Sequence, residues 1–435
     1  MKKWIFALVF TAWVTSCPRS FPDEIVNLTG RVTDSEGKPI EHATVMVYHA
    51  GLKKGYSTYC PSCYADCGKR TTTDAKGMFN FKGLRGDLWF ELLVALDGYE
   101  PAFVKKVVAS SSEPATAKLV QRKRVHDLSR IFRGHVENSQ GRPIRDAVVQ
   151  PVGILLDNKT GSARYGGIEG LDPIAVTNEK GDFEIAYSTA GLKTLVSVEA
   201  RGMAPAFSVV SAGGERHTIT VTVGSTVRGR LVQDGRPIPD AEVGLIGRPR
   251  GGFGGNLQQV GYPYDELRVG TQQDGTFVIT NVPSPVDWYL YGKMESVARR
   301  GATGVLECAT KHDREIVNVG DVQVRPAHRL RGTVVLSNGK QIPDGMRVTI
   351  SSETAWDDQT TVLRSDGHFE FVGLAAGDYS VSASVEGYSL PKTPVTVKRT
   401  KPDGSTESTD YVPGVVPTFS IDRDVDDYVI TLSPE

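Results

Sequence analysis

The chain has 435 residues, of which 39% are hydrophobic and 23% charged, and its formal net charge is -1. This length exceeds what one hydrophobic core usually serves, and the composition is that of soluble globular material, so several folded domains are expected. The near-zero charge excludes an electrostatic argument for binding nucleic acid or an anionic membrane surface.

A leader-like segment opens the chain. Met1-Lys2-Lys3 is basic, and the apolar run from Trp4 to Val14 is too short to span a bilayer. Val14-Thr15-Ser16-Cys17 then resembles the lipobox of bacterial lipoproteins, in which the cysteine is lipidated. The alternative is a plain secretory leader with a chance cysteine. We expect a signal peptide over residues 1–16, a linker over 17–25, and an exported protein anchored by lipid on Cys17.

One motif follows the leader four times. Each copy opens with a glycine, has a turn centred on a second glycine, and ends in a polar turn ahead of a phenylalanine. The opening glycines are Gly30, Gly134, Gly229 and Gly332, and the phenylalanines are Phe79, Phe183, Phe277 and Phe369. A spacing of about 100 residues suits a self-contained domain and not a solenoid unit. Helical periodicity is missing, and Gly and Pro recur at the spacing typical of short antiparallel strands.

These motifs resemble the carboxypeptidase regulatory-like family, through the pattern G-x-V, G-x-P-I-x-x-A-x-V, T-D-x-x-G-x-F and G-x-Y. The resemblance implies a transthyretin-like (prealbumin-like), Ig-like β-sandwich of about seven strands. Repeat three lacks the Gly-Tyr element, and repeat four has Gln341 in place of the proline. We expect an all-β chain of four tandem sandwiches with no helix longer than about three turns. The predicted domains span 26–121, 129–224, 225–327 and 328–435.

Repeats one to three carry insertions that repeat four lacks. The distance from the opening glycine to the glycine of the polar turn ahead of the phenylalanine is 47, 47 and 46 residues in the first three repeats and 35 in the fourth; these later glycines are Gly77, Gly181, Gly275 and Gly367. The insertions are Ala50–Thr72, Gly153–Ala175 and Gly247–Gly270, and we expect loops at one end of each sandwich. Rigid aromatic residues amid glycine make good contact surface. The ligand-contact candidates are Tyr56, Tyr59, Tyr165, Tyr262 and Tyr264, with Trp356 in the short loop of repeat four.

An alternative explanation of these insertions is structural. Long surface loops are tolerated at small entropic cost, and their tyrosines would then cover the domain junctions. Two other tryptophans, Trp89 and Trp288, lie in strand-like runs and are expected in the core.

The densest chemical signal is a cysteine cluster, Cys60, Cys63 and Cys67, in the first insertion. A redox pair would need a strand-to-helix context that a β-domain lacks, and a zinc site would need His49 or Asp66 as a fourth ligand. In an oxidising compartment we expect two of the three cysteines to form a local disulfide that stabilises the loop.

The carboxylates Asp422, Asp424 and Asp426 alternate before the last strand, like the first ligands of a calcium loop. The glycine and the distal glutamate of such a loop are missing, so we expect a solvated acidic edge. None of the eight histidines lies in H-E-x-x-H, and no G-x-S-x-G motif is present. The sequence predicts no catalytic residue, no metal site and no cofactor.

The sequence therefore predicts an exported, non-enzymatic binding or scaffold protein of the bacterial cell envelope, periplasmic or on the cell surface. Its expected partner is an envelope or extracellular protein or a glycan, with no nucleic acid and with membrane contact only through the N-terminal lipid. Two alternatives stay open. One is a carbohydrate-binding protein that uses loop aromatics, since sugar-binding modules share the implied fold, and the other is a ligand-free structural spacer.

Overall fold

The computed structural model describes residues 25–57, 60–62, 64–109, 114–123, 127–155, 163–165, 167–248, 266–355, 357–391, 395–400, 406–411 and 418–435. At 163–165, 395–400 and 406–411 it describes the backbone alone. The predicted all-β fold is confirmed, because strands supply nearly all of the regular structure in the described ranges. The longest helix there, α1 (Met294–Val297), has a single turn.

The strands form four groups along the chain, which we call domains 1 to 4. Domain 1 contains β1 (Ile25–Thr33), β2 (Thr44–Leu52), β3 (Arg70–Thr72), β4 (Met78–Arg85), β5 (Leu88–Ala95), β6 (Tyr99–Glu100), β7 (Ala102–Val108), β8 (Ala115–Lys118) and β9 (Val120–Gln121). Domain 2 begins with a 3-10 turn at Leu128–Arg130 and contains β10 (Ile131–Asn138), β11 (Val148–Leu155), β12 (Ala163–Tyr165), β13 (Ala175–Val176), β14 (Asp182–Ala186), β15 (Lys193–Glu199), β16 (Ala206–Ser211) and β17 (His217–Val221).

The other two domains follow the same order. Domain 3 contains β18 (Ser225–Gln233), β19 (Arg236–Pro237), β20 (Glu242–Gly247), β21 (Leu267–Gly270), β22 (Thr276–Val282), β23 (Val286–Gly292), α1, β24 (Leu306–Thr310) and β25 (Ile316–Gln323). Domain 4 contains β26 (His328–Leu336), β27 (Arg347–Ser352), β28 (Asp358–Val362), β29 (His368–Leu374), β30 (Gly377–Ser384), β31 (Tyr388–Ser389), β32 (Val395–Thr400), β33 (Thr406–Tyr411), β34 (Thr418–Ile421) and β35 (Val425–Pro434). The exact domain boundaries stay a prediction.

Each domain is built from two main sheets, and two-stranded sheets are added by β6 and β9 in domain 1 and by β32 and β33 in domain 4. Sheet I holds the opening strand, in the orders β4-β1-β8, β14-β10-β17, β19-β18-β22 with β25 also on β18, and β29-β26-β35-β31. Sheet II holds the second strand, in the orders β3-β2-β5-β7, β12-β11-β15-β16 with β13 also on β11, β21-β20-β23-β24 and β28-β27-β30-β34. A separate hydrophobic cluster fills the space between the two sheets of each domain, with Phe90, Phe183, Trp288 and Phe371 among its fully buried side chains.

Strand direction in sheet I differs from the antiparallel pattern predicted by the sequence. The opening strand pairs antiparallel with the aromatic strand on one side and parallel with the last strand on the other. The parallel pairs are β1–β8, β10–β17, β18–β25 and β26–β35. Side chains alternate with a period of two in either direction, so the hydrophobic pattern carries no information about this choice.

The recurring motif has a packing function in all four domains. The opening glycine lies directly across from the motif phenylalanine, in the pairs Gly30–Phe79, Gly134–Phe183, Gly229–Phe277 and Gly332–Phe369. A Cβ atom on any of these glycines would overlap the phenylalanine ring. The ring therefore occupies the space that a side chain on the opening strand would fill, and no other residue type fits there without displacing it.

Candidate functional site

The insertions belong to one hairpin of sheet II. In domains 1 to 3 each connects the second strand with the short strand that pairs antiparallel to it, and in domain 4 the same hairpin has a short loop at 353–357. Each insertion begins inside the second strand, since β2 extends to Leu52, β11 to Leu155 and β20 to Gly247. The expectation that the insertions lie wholly outside strands is wrong at these first residues, at the last residues, which belong to β3, β13 and β21, and at β12 within the second insertion.

The insertion of domain 1 packs against domain 4. Gly55 has a left-handed φ of 87°, and a Cβ atom on it would overlap the carbonyl oxygen of Gly345. Asp87 Oδ2 lies 3.7 Å from Nη2 of Arg347 in domain 4. Tyr56 packs, partly buried, against the hydrophobic core of domain 4. The sequence left two roles open for Tyr56, contact with a ligand and packing at a domain junction. The contact with domain 4 favours packing at the junction.

The other predicted contact residues have no described side chain. Tyr59, Tyr262, Tyr264 and Trp356 lie outside the described residues, as do Cys17 and Cys63, and at Tyr165 only the backbone is described, in β12. Ligand contact by these residues stays a prediction.

The two residues that a zinc site would recruit have other partners. His49 Nδ1 lies 2.8 Å from Oε2 of Glu91. The buried carboxylate of Asp66 accepts hydrogen bonds from Lys69 Nζ at 2.6 Å and from the backbone N–H of Arg85 at 2.9 Å. Asp66 thus anchors the insertion to β4, and this pairing explains why an acidic residue is buried beside the cysteines.

Two of the described cysteines, Cys67 and Cys308, are poor nucleophiles. Cys67 is a partly buried thiol that donates a hydrogen bond to the carbonyl oxygen of Pro61 at 3.2 Å, and Cys308 is a second thiol in domain 3. Burial raises the pKa of Cys67 to about 12 and the pKa of Cys308 to about 11. Because the thiolate is the reactive form, neither cysteine is activated at neutral pH. The disulfide among Cys60, Cys63 and Cys67 stays a prediction, because Cys63 is outside the described residues.

Five polar side chains meet at the junction of domains 3 and 4, and we call them the junction cluster: Glu266, Arg268, Tyr291, Lys293 and Asp357. Lys293 Nζ contacts Asp357 Oδ1 and lies 3.0 and 3.3 Å from the two carboxylate oxygens of Glu266. Tyr291 donates a hydrogen bond to Glu266 at 2.5 Å, and Arg268 also pairs with Glu266. Asp357 Oδ2 accepts the backbone N–H of Met294 at 2.7 Å, at the start of α1.

Burial governs the electrostatics of the junction cluster. The side chains of Lys293 and Asp357 are 5% and 4% exposed. Burial raises the pKa of Asp357 to about 6, although the Lys293 ammonium opposes the shift. Burial acts to lower the pKa of Lys293, but Asp357 and Glu266 outweigh it and raise that pKa. The cluster therefore holds a desolvated ion pair between two domains, beside a small cavity of about 60 Å³.

The remaining junctions complete a circuit. Met46, Leu93 and Ala95 of domain 1 share a buried apolar cluster with Val148, Ile174 and Val176 of domain 2. Between domains 2 and 3, Asn281 Nδ2 donates to the carbonyl oxygens of Gly202 and Val223 at 2.9 and 2.8 Å. Contacts thus run from domain 1 to 2, 2 to 3, 3 to 4 and 4 back to 1. The four domains form a closed ring of contacts, and not the linear array that tandem repeats suggest.

The aspartate run near the end of the chain is part of an ion-pair network. Asp424 Oδ2 lies 3.3 Å from Arg329 Nε, and Asp426 Oδ1 lies 3.3 Å from Arg329 Nη2 and 3.9 Å from Arg331 Nη1. β35 pairs with β26 from Val425 to Leu432 but with β31 only at Ser433 and Pro434, so at Asp426 it has a neighbouring strand on one side alone. The aspartates of the run are exposed, in agreement with the predicted solvated acidic edge, and the arginines of β26 partly neutralise Asp424 and Asp426.

Within the described ranges, no group of three or more His, Cys, Asp or Glu side chains is placed to hold a metal ion. Among the same residues, no helix has the length and apolarity needed to cross a membrane.

Three solved structures illustrate the likeness to known proteins. The Bacillus anthracis TIE protein is 11% identical, with 97% of this chain and 76% of that chain covered, at a TM-score of 0.19. The major pilin subunit BcpA of Bacillus cereus is 11% identical, with 95% and 100% covered, at 0.17. A streptococcal ancillary pilin is 15% identical, with 70% and 99% covered, at 0.21. Scores this low carry no argument about function. No curated protein matches the chain.

The family comparison is more specific. Residues 27–120 and 329–406 match the model of the carboxypeptidase regulatory-like domain, as the sequence motifs predict. Domains 2 and 3 lie outside the matched residues but have the same sheet orders and the same glycine–phenylalanine pair. The matched model describes a regulatory-like module and not a catalytic one. Two segments of the chain, residues 27–120 in domain 1 and 329–406 in domain 4, are therefore identified as carboxypeptidase regulatory-like domains.

Proposed function

We propose that the chain is a non-enzymatic scaffold of the cell envelope, in which four sandwiches hold one another in fixed orientation. The observation that carries this proposal is the contact between domains 1 and 4, because it turns a tandem array into a closed ring. A ring of this kind keeps its exposed faces at constant separation, as a scaffold requires, whereas an open chain of domains moves freely at each linker.

The junctions support a fixed arrangement by their chemistry. The domain 1–2 junction is apolar, and the domain 3–4 junction contains a buried ion pair whose partners come from different domains. Separating domains 3 and 4 would leave Lys293 and Asp357 without each other, so the junction cluster opposes opening. A spacer without a ligand would need no such cluster between its domains.

Chemical cross-linking of the full chain tests the ring. Lys54 is adjacent to Gly55, which touches Gly345, and Lys340 is five residues before Gly345, so the chain limits the separation of the two lysine Cα atoms to less than about 26 Å. We expect a lysine-reactive cross-linker to join Lys53 or Lys54 to Lys340. Mass spectrometry of the digested protein detects the linked peptides.

Two glycines of the same insertion provide matched variants. Gly55 and Gly68 both have left-handed φ angles, 87° and 83°, but only Gly55 faces domain 4, whereas nothing lies within 4 Å of a Cβ on Gly68. Gly55→Ala should lower the yield of the cross-link and Gly68→Ala should leave it unchanged. A link between Lys38 and Lys76, on adjacent turns of domain 1, is the positive control. If that control forms in the wild type and the link to Lys340 does not, the ring is wrong.

Export and lipid anchoring complete the proposal and rest on the leader residues alone. Cys17 follows Val14-Thr15-Ser16 at the end of the apolar run. Growth with a clickable fatty acid should label the wild-type protein and leave Cys17→Ala unlabelled. Equal labelling of both proteins, or of neither, would contradict the lipid anchor. The scaffold role would then be tested by the cross-linking experiment alone.

A further inference from the structure

The outer face of sheet II in domain 1 is only partly covered by domain 2. Met46, Leu93 and Ala95 are buried at one end of this face against domain 2. Beyond them the face is open, since Phe103 is 42% exposed and the His49 side chain 34% exposed. The open part continues directly from the domain 1–2 junction.

An indole ring lies at the far end of the open part. Trp89 pairs in register with Gly51 on one neighbouring strand and with Val108 on the other. A Cβ atom on Gly51 would overlap the indole, so the ring lies across the glycine. Phe90, the next residue, is fully buried inside the sandwich, and alternation places Trp89 outside. The expectation that Trp89 lies in the core is therefore wrong.

Two further rings lie at the near end. The rings of Tyr48 and Phe103 have their centroids 5.2 Å apart at an interplanar angle of 67°, an edge-to-face arrangement. Phe103 pairs with Leu93, four residues from Trp89 along β5. The rise of a strand puts the rows of Trp89 and Phe103 about 13 Å apart.

Hydrogen-bonding groups lie between the aromatic ends. Glu91 is midway between Trp89 and Leu93 on β5, and its Oε2 lies 2.8 Å from Nδ1 of His49 on β2. The carboxylate has further lone pairs, and the imidazole has a second nitrogen for other partners. The face thus presents apolar rings at both ends of a polar row.

We propose that this face binds a neutral oligosaccharide, with sugar rings stacked on Trp89 and on the Tyr48–Phe103 pair and hydroxyl groups bonded to Glu91 and His49. The Glu91 carboxylate lies in the same row as the exposed Lys105 and Lys106 of β7, so the charges at the centre of the face offset one another and favour an uncharged ligand. The apolar residues of the face form two groups, Trp89 with Val108 and Tyr48 with Phe103, and the polar row separates these groups, unlike the contiguous core of a protein interface. Small-ligand sites are usually lined by aromatic side chains, which provide contact area, and by a few polar groups, which fix the orientation of the ligand. The site is independent of the scaffold proposal.

Calorimetric titration of the full chain with cellohexaose, xylohexaose, maltohexaose and chitohexaose tests the proposal. We expect at least one to bind, and expect Phe103→Ala and Trp89→Ala each to weaken its affinity by tenfold or more. Phe207→Ala, which removes a partly exposed ring from an edge strand of domain 2, should leave affinity unchanged.

Unchanged melting temperatures of the variants would show that the loss is one of binding and not of folding, and Phe103 is exposed enough for this comparison. Failure of all four sugars to bind the wild type overturns the proposal, as does binding that neither variant weakens. Concentration-dependent dimerisation that Phe103→Ala abolishes, without sugar binding, would instead assign the face to self-association.

Discussion

Replacing Gly30 by valine should unfold domain 1. A Cβ on Gly30 would overlap the ring of Phe79, and it would also lie 2.5 Å from the carbonyl oxygen of Ala115 on the parallel strand β8. Phe79 is 3% exposed and packed in the core, so it has no space to move into. Overpacking of this kind costs about 1–3 kcal/mol, and a clash with the backbone on one side as well as a ring on the other should place it at or above that range.

Hydrogen exchange in β1, β4 and β8 of the full chain measures this effect, because a four-domain protein does not unfold in one step. Gly304→Val is the matched control, since nothing lies within 4 Å of a Cβ there and its backbone is not left-handed. Phe79→Leu should recover part of the loss in the double variant, because the two positions are in direct contact. Normal protection of domain 1 in Gly30→Val would contradict the packing role of the motif.

Replacing Lys293 by methionine should destabilise the domain 3–4 junction by about 3–5 kcal/mol. The substitution removes the only ammonium between Asp357 and Glu266 and leaves Asp357 as an uncompensated buried charge, which is the costly way to break a buried pair. Lys340→Met, on the surface of domain 4, is the control and should change stability by less than about 0.5 kcal/mol.

The double variant Lys293→Met/Asp357→Leu should recover most of the loss, because it removes both charges of the pair together. Thermal unfolding and hydrogen exchange of α1 report on the junction. Equal stability of Lys293→Met and the wild type would show that the cluster is open to water and contributes nothing to the ring.

The same pair gives the junction a dependence on pH. The pKa of Asp357 is about 6 in the folded protein and about 3.9 in an unfolded chain, so between these values the folded state holds more protons. The free energy of unfolding therefore falls as pH rises from about 4 to about 6, by at most about 3 kcal/mol, and is level above that. Asp357→Asn should reduce this slope and leave the part that comes from other carboxylates such as Glu295, whose pKa desolvation also raises, whereas an unchanged difference between pH 4 and pH 7 would contradict the burial of the Asp357 carboxylate.

The sequence predicts the sandwich well because its evidence is local. A glycine on one strand and a phenylalanine on its neighbour must appear in register in every domain, so the pair Gly332–Phe369 repeats Gly30–Phe79. The parallel pairing in sheet I, by contrast, is not marked by any residue pattern in the sequence. The core position expected for Trp89 is wrong because β5 is apolar on both faces, so its sequence does not show which face is buried; only the glycine beneath the indole identifies the outer face.

The junctions could not be predicted in the same way. Lys293 and Asp357 come from different domains, and neither has a counterpart in the other repeats that would mark it as a partner. The sequence predicts an exposed loop position for Tyr56, and only its packing against domain 4 shows that it belongs to a junction. Interfaces between repeats depend on residues that differ from copy to copy, and these are the residues that a search for repeats disregards.

Closure of the ring imposes an order on assembly. The docking surface for Gly55 and Tyr56 belongs to domain 4, so this part of domain 1 stays uncovered until domain 4 has folded. The final contact then forms within one molecule at high effective concentration, which lets a small junction of two glycines and one long ion pair hold the ends together. A chain truncated before domain 4 therefore exposes a surface that the full chain hides, and a protease or chaperone can distinguish the two by that surface alone.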